Sequence, residues 1–423
     1  MPLDARPLAA TLLLLAAVAR PAVGGPITVT VEAGVHARLD TPVRARLADD
    51  RLGAEARAAL EAGPIALRLV PSAGGDPVVA QAERADGGVR LTWVEPGPIA
   101  AGGSKRYRLE GARPSGDRGP WRVVRSKGGI DLRHGERPVF RYNTEPLSSP
   151  DFGPILRRDA YLHPVVTPRG AIITGDFSKF HPHHRGIFLA YAKAEVEGEA
   201  LDFWNFHTGK GKIRHDGLDP DVVGPVTARI SAHHRWEGKD GRVLIKERWE
   251  VEAYEVPGSP YWCFDLTATQ RAADRPVTLL PYRYGGMAYR GPDPFVKGPI
   301  DVLTAEGRHR VDGNLQPTRW VDLTGPIAEG SADYAGAMLA DHPGNLHHPT
   351  VARIHPTTLP FFSFVPASRE QVVIAKDAPL VLRYRILVHD GRPAADLDHR
   401  TWDDFADPPR VTVEGSEGDP TTR

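Results

Sequence analysis

The chain has 423 residues, which is enough for two or more domains. Its 53 basic and 53 acidic residues balance each other, and this argues against a nucleic-acid or anionic-membrane partner, since either would favour a basic excess. The single cysteine, Cys263, excludes an intrachain disulfide and any metal site built on several cysteines of one chain.

The N-terminus predicts a secretory signal peptide over residues 1–24. Arg6 precedes an apolar core at residues 8–18, and the sequence Ala17-Val18-Ala19 offers a cleavage site. This core is shorter than the roughly 20 apolar residues that a membrane span needs, and no later segment reaches that length. We therefore expect a secreted or periplasmic protein of the bacterial envelope, with no membrane span.

Residues 26–116 predict a small all-β domain. Residues 27–31 alternate between apolar and polar side chains, and residues 65–70 and 89–93 give two further strands between turn-forming segments. Residues 54–62 are compatible with one short helix. Short strands at this spacing are typical of an immunoglobulin-like sandwich with a structural or docking role. The Gly- and Pro-rich residues 114–120 predict a linker.

Residues 121–407 predict a second, larger β domain. The strand patterns are long, with the longest at residues 242–254, 262–269 and 380–389, and they favour two large packed antiparallel sheets. Residues 394–405 predict a closing helix, and the polar residues 408–423 predict a flexible tail. The expected fold class is therefore all-β.

The strongest functional signal is the sequence HPHHRG at residues 181–186. On an extended chain His181 and His183 point to one face and His184 to the other. Histidine titrates near neutral pH and is the commonest metal ligand, so this cluster suits proton transfer or metal binding. The alternative is a polar loop whose histidines only satisfy backbone groups.

Two further segments carry candidate residues. Glu247 lies on the otherwise apolar face of its strand, where burial would raise its pKa toward that of a general acid, unless it is paired and structural. The sequence around Tyr282, Arg283 and Tyr284 combines rings that stack on sugars with a cation that binds acidic groups. This combination suits an acidic-sugar cleft or a bulged structural strand.

A second histidine cluster occupies the turn-rich residues 341–349 and includes His348. Loops carry a large share of functional residues, so this segment either completes the first site or simply folds a loop. His163 and Trp204 lie in weaker segments of the same kind.

Several of these segments together resemble a bacterial family of unknown function called PmoA-like, or methane oxygenase PmoA. The resemblance covers roughly residues 121–407, and its motifs are YLHP at 161–164, HPHHRGI at 181–187, DFW at 202–204, DHP at 341–343 with HP at 348–349, and LRYR at 382–385 with HDG at 389–391. It implies a secreted β-rich protein of polysaccharide-degrading bacteria. The absence of later membrane-length segments argues against a true methane monooxygenase. By analogy of fold alone, the region is similar to galactose-mutarotase-like sandwiches.

Three functions remain open from the sequence. The first is a carbohydrate-active enzyme, a glycoside hydrolase, lyase or sugar epimerase. Its residues would be His183 and His184 as acid/base groups, Tyr282 or Glu247 as partner, and Arg185, Arg283, Tyr284, His163, Trp204 and His348 as substrate-binding groups. The second is a site for one divalent metal ion (zinc, copper or iron), with His181 and His183 as ligands and a third from His163, His342, His347 or His348. The third is a non-catalytic glycan-binding protein.

Overall fold

The computed structural model describes residues 27–110, 119–149, 151, 153–179 and 181–415. The expected signal peptide, residues 1–24, lies outside these ranges, as does most of the expected linker. No helix within the described ranges is both long and apolar enough to cross a membrane.

The N-terminal unit contains six strands and one short helix. In chain order they are β1 (Ile27–Glu32), β2 (Arg38–Leu47), α1 (Ala54–Leu60), β3 (Ile65–Pro71), β4 (Val78–Ala85), β5 (Gly88–Ile99) and β6 (Ser104–Glu110). The expected alternation holds, since Val29 and Val31 of β1 are fully buried in the core of this unit.

The rest of the chain contains the remaining strands and two further helices, which form the large unit except for the last strand. Its first half comprises β7 (Trp121–Ser126), β8 (Gly129–His134), β9 (Arg137–Asn143), β10 (Leu147–Ser149), β11 (Gly153–Arg158), β12 (Leu162–Val165), β13 (Ile187–Tyr191), β14 (Ala194–Val196), β15 (Glu199–Leu201), β16 (Lys212–Leu218) and β17 (Val222–Val223). Next come β18 (Thr227–Glu237), β19 (Val243–Tyr254), β20 (Tyr261–Ala272), β21 (Val277–Leu279), β22 (Gly285–Arg290), α2 (Asp293–Lys297), β23 (Asp301–Thr304) and β24 (Gln316–Pro317). The last are β25 (Trp320–Pro326), β26 (Tyr334–Asp341), β27 (Val351–Ile354), β28 (Phe361–Phe364), β29 (Val372–Ile374), β30 (Leu380–Asp390), α3 (Ala395–Ala406) and β31 (Arg410–Glu414).

The C-terminal segment corrects the expectation of a flexible tail from residue 408. Residues 410–414 form β31, which pairs antiparallel with β1 and places Val411 opposite Val31 and Val413 opposite Val29. The sheet order is β2-β5-β4-β3-β6-β1-β31, and the end strands β2 and β31 contact each other. The N-terminal unit is therefore one curled antiparallel sheet closed around its own core. Residues 416–423 lie outside the described ranges.

Two long antiparallel sheets face each other in the large unit, which confirms the predicted all-β class. The first sheet has the order β24-β27-β28-β22-β13-β12-β9-β8-β7, and the second has the order β16-β18-β19-β20-β30-β26-β25-β23, with β17 paired to β18. Aromatic side chains meet between them, as in the pair Phe364 and Tyr384, whose ring centroids are 5.8 Å apart. One continuous apolar core lies between the two sheets.

The outer face of the second sheet is covered by the N-terminal unit and by α3. Gln81 of β4 donates to Thr227 at 2.9 Å, and Arg38 of β2 forms a buried ion pair of 3.0 Å with Asp404 of α3. Cys263 is buried beneath this layer, where burial raises the pKa of its thiol to about 12. The thiol is therefore unreactive, as its apolar surroundings in the sequence predict.

Candidate functional site

The HPHHRG segment forms a turn, not the extended chain that the alternation argument assumed. His181 has a φ of 59°, and the His184 backbone N–H donates to the His181 carbonyl at 3.0 Å. Gly186 closes the turn against β12, where an added Cβ would lie 2.0 Å from the Leu162 carbonyl oxygen. Only glycine fits this approach. The turn brings all three imidazoles to one place instead of distributing them over two faces.

These imidazoles line a cavity of about 310 Å³ on the outer face of the first sheet, away from the second sheet. Its lining residues are His181, His183, His184, Trp204, Asn205, Arg283, Tyr284, Arg353, His355 and Phe361. Strand alternation explains the position of the cavity. Phe364 of β28 packs on Tyr384 of the second sheet, whereas Phe361, an odd number of residues earlier, faces the opposite side and lines the cavity. A volume of this size is at the lower end for ligand-binding pockets.

The rings in the cavity pack closely. The His184 ring lies 4.6 Å from the His183 ring and stacks on Phe361 at 4.5 Å, and the Trp204 ring lies 5.4 Å from the rings of both His184 and Tyr284. His184 is buried, and its Nδ1 atom has no hydrogen-bond partner. A buried polar atom without a partner is unfavourable, so this ring lies in the cavity wall at a cost in stability.

A carboxylate beside the cavity holds the loop that carries Trp204. Asp202 accepts hydrogen bonds from the backbone N–H groups of Trp204 at 3.0 Å and Asn205 at 2.7 Å. It also accepts one from the Asn205 side chain at 3.0 Å, while the same amide group lies 3.4 Å from the Tyr284 hydroxyl. Asp202 therefore orients the polar groups that face the cavity.

The electrostatic environment keeps the histidines uncharged. Burial and the neighbouring cationic side chains lower the pKa of His183 to about 3, and burial lowers the pKa of His184 well below its usual value. Burial also lowers the pKa of His355 to about 4, with Arg353 adding to the effect. These imidazoles are therefore neutral at physiological pH: each has one N–H group and one unprotonated nitrogen, and none carries the second proton of an imidazolium.

No aspartate or glutamate is among the described residues that line the cavity. Among the described residues, moreover, no group of three or more His, Cys, Asp or Glu side chains is placed to hold a metal ion. The cavity is thus rich in nitrogen groups and rings, and its fixed charge comes from arginines.

A family of unknown function, DUF6807, matches residues 129–403, which is more than half of the chain. The chain belongs to this family. The matched residues fall within the 121–407 region of the sequence resemblance, but no comparison supports the PmoA-like name. No curated protein matches the chain.

Two solved structures from Enterococcus faecalis are similar to the chain at low level. One is a protein in glycosyl hydrolase family 38, with a TM-score of 0.42, 8% identity, and coverage of 93% of this chain and 47% of that chain. The other is an alpha-mannosidase, with a TM-score of 0.41, 8% identity, and coverage of 93% and 46%. The chain spans about half the length of these two proteins. Similarity at this level assigns no function.

Five of the residues selected from the sequence meet in the cavity, together with the tentative ligand His181. They are His183, His184, Trp204, Arg283 and Tyr284. Tyr282 lies at the margin, with its ring 4.7 Å from that of Tyr284.

Arg185 does not reach the cavity, although it belongs to the same motif. Its guanidinium is fully buried, forms an ion pair of 2.5 Å with Asp176, donates to the Leu156 carbonyl, and stacks on Phe177. Since its charge is already compensated, Arg185 holds the turn in place and does not line the cavity.

Glu247 lies in the core between the two sheets, away from the cavity. It accepts hydrogen bonds from Trp236 at 3.0 Å and Gln270 at 2.9 Å, and it lies 2.7 Å from Nδ1 of His234. The sequence placed it correctly on the inner face of its strand. Its partners are these neutral and histidine side chains, so the arrangement matches the structural alternative more closely than the catalytic one.

His163 and the second histidine cluster are also separate from the cavity. His163 Nδ1 lies 3.0 Å from the Thr174 hydroxyl, and His348 Nδ1 lies 2.7 Å from a carboxylate oxygen of Asp341. The His348 ring stacks near Trp402 of α3. The second cluster therefore folds its loop against α3 and does not complete the first site.

Four lining residues were not found from the sequence: Asn205, Arg353, His355 and Phe361. Arg353 and His355 lie at the end of β27, and Phe361 begins β28, so sheet pairing brings them to the turn from more than 160 positions away. Asn205 follows Trp204 directly, and an Asp-x-x-Asn turn was its available signal.

Proposed function

We propose that the protein is a carbohydrate-active protein that binds a saccharide in the histidine cavity and cleaves or isomerises it by proton transfer. The observation that carries the proposal is the enclosure of aromatic rings and neutral imidazoles in one cavity.

The lining supports saccharide binding. Tyr284 offers a half-buried ring with a hydroxyl, and the buried rings of Trp204 and Phe361 contribute to the apolar wall of the cavity. Rings of this kind pack on the C–H faces of sugars. The half-buried Asn205 amide and Tyr284 hydroxyl provide hydrogen-bonding groups for sugar hydroxyls.

The protonation states support a reaction that begins with proton removal. His183 is neutral above about pH 4, because its pKa lies at about 3, and it is therefore free to accept a proton. Burial raises the pKa of Tyr284, so its hydroxyl stays protonated and can donate. A neutral base and a protonated phenol fit elimination or epimerisation. Hydrolysis of a glycosidic bond commonly uses two carboxylates, which the described lining lacks.

We also propose that the protein is exported, as the apolar residues 8–18 indicate. Export would bring the cavity to extracellular polysaccharides. N-terminal sequencing of the protein secreted by its host would show cleavage near residues 19–24 if this is right, and an intact N-terminus if it is wrong.

Turnover of a saccharide panel tests the main proposal. Wild type, His183→Gln and the surface control Arg275→Gln would be incubated with polygalacturonate, alginate, chondroitin sulfate, xylan and cellulose, and products followed by mass spectrometry. We expect wild type and the control to convert at least one polymer, and His183→Gln to bind it without conversion. Binding without turnover by wild type would indicate the non-catalytic glycan-binding protein. If wild type binds none of the five polymers, the proposal is refuted.

A further inference from the structure

We infer that the saccharide carries an anionic group, either a uronate carboxylate or a sulfate ester, and that Arg283 and Arg353 bind this group. This inference rests on the proposed function. Nothing in the family match or the structural neighbours assigns this specificity.

The arginines at the cavity lack carboxylate partners. Arg353 donates to the Asn314 side chain at 2.6 Å and to the Ile354 carbonyl at 3.2 Å, and Arg283 lies 6.0 Å from the ring of Tyr284. Arg310, whose charge helps to lower the pKa of the lining residue His355, has a buried nitrogen without a hydrogen-bond partner. Within the described part of the chain, no ion pair joins any of these three arginines to an aspartate or glutamate.

Several buried arginines elsewhere in the described part of the chain are paired with carboxylates. Arg185 pairs with Asp176 at 2.5 Å, Arg385 with Asp265 at 2.7 Å, and Arg38 with Asp404 at 3.0 Å. Pairing of this kind is what buried charge requires. Arg283, which is exposed, and Arg353, which is half-buried, line the same cavity without such a partner. Burial, together with the charge of Arg283, lowers the pKa of Arg353. An anion between them would relieve this repulsion.

The chemistry of the guanidinium group selects the ligand. Its planar fork of N–H donors binds the two oxygens of a carboxylate, or two oxygens of a sulfate, in bidentate fashion. A neutral sugar offers no charge to the pair, so it gains only ordinary hydrogen bonds. An anion bound in the cavity that His183 lines would also favour the protonated form of that imidazole and so raise its pKa.

Calorimetric titration with matched ligands tests the inference. The probes are digalacturonate, a glucuronate-containing disaccharide, the methyl ester of digalacturonate, and a sulfated neutral disaccharide. We expect at least one anionic probe to bind about tenfold or more tightly than the uncharged ester. Preference for the uronates would assign the carboxylate as the source of the anion, and preference for the sulfated sugar would assign the sulfate ester.

Variants locate the effect. Arg283→Gln and Arg353→Gln should each weaken anionic binding by about tenfold and weaken ester binding by much less, while Arg275→Gln on the exposed surface should change neither. Arg283 is exposed, so its substitution leaves the fold intact.

Two failures can be told apart. Equal affinity for ester and acid, or equal loss of both in Arg283→Gln, would overturn the anion inference and leave saccharide binding standing. If no probe and no polymer of the panel binds, both the inference and the proposed function fall.

Discussion

Replacing Asp398 by asparagine should change how the stability of the protein depends on pH. This carboxyl is on α3 and is 1% exposed, next to Asp322 of β25 and His389 of β30. Burial raises its pKa to about 8, and the charge of Asp322 adds to this rise. Nε2 of His389 lies 2.9 Å from a carboxylate oxygen of Asp322.

Proton linkage gives the direction and the magnitude of the change in unfolding free energy with pH. Between pH 4 and 8 the folded protein keeps the Asp398 proton, whereas the unfolded chain has lost it, so stability falls as the pH rises. The slope is about 1.4 kcal/mol per pH unit, which gives roughly 2.5 kcal/mol between pH 5 and pH 7. Asp398→Asn lacks this titration. Relative to wild type, it should therefore gain about 2.5 kcal/mol of unfolding free energy over the same interval.

Urea unfolding at pH 5, 6 and 7, followed by tryptophan fluorescence, measures the difference. The matched control is Asp396→Asn, because Asp396 lies on the same helix but is exposed. We expect the control to run parallel to wild type. A parallel profile for Asp398→Asn as well would show that Asp398 titrates normally, and would refute the reasoning.

Three further predictions concern the cavity and its turn. If turnover is found, kcat/KM should stay level from pH 7 down to pH 5, because His183 has a pKa of about 3 in the free protein; an acid limb with a midpoint between pH 6 and 7 would contradict this. Arg185→Ala should lower the free energy of unfolding in urea by about 3 kcal/mol, since it leaves Asp176 buried and unpaired, while Arg283→Ala should lower it by less than about 0.5 kcal/mol. A loss of unfolding free energy in Arg185→Ala as small as that expected for Arg283→Ala would mean that Arg185 has no structural role. Dialysis against EDTA should leave saccharide binding unchanged, because no group of three or more His, Cys, Asp or Glu side chains among the described residues is placed to hold a metal ion; loss of binding that added zinc restores would favour the metal site.

Strand periodicity predicted much of the fold. Alternation along residues 27–31 and 242–254 identified the buried faces of β1 and β19, and the helices near residues 54 and 395 were expected at nearly the right places. Periodicity does not reveal partners distant in sequence. The pairing of β31 with β1 joins the two ends of the described chain, and the pattern in residues 408–423 was too short and polar to predict it.

The candidate site was predicted only in part, because local patterns do not reveal which distant residues pack together. The density of histidine at 181–184 marked the right turn, but the assumed extended geometry was wrong because His181 adopts a positive φ. Glu247 was placed on the correct face, but a face does not specify whether a residue meets a cavity or the opposite sheet. Arg353 and His355 joined the site through strand pairing, which no local pattern encodes.

Saccharide binding at the histidine cavity is the central claim, and a glycan array tests it most directly. Wild type, Tyr284→Ala and the surface control Arg275→Gln would be applied to the same array. Tyr284 is only half-buried, so its removal deletes a cavity wall without opening the core. The account predicts that wild type and the control bind the same saccharides and that Tyr284→Ala loses them. Undiminished binding by Tyr284→Ala, or no binding by wild type, would contradict it.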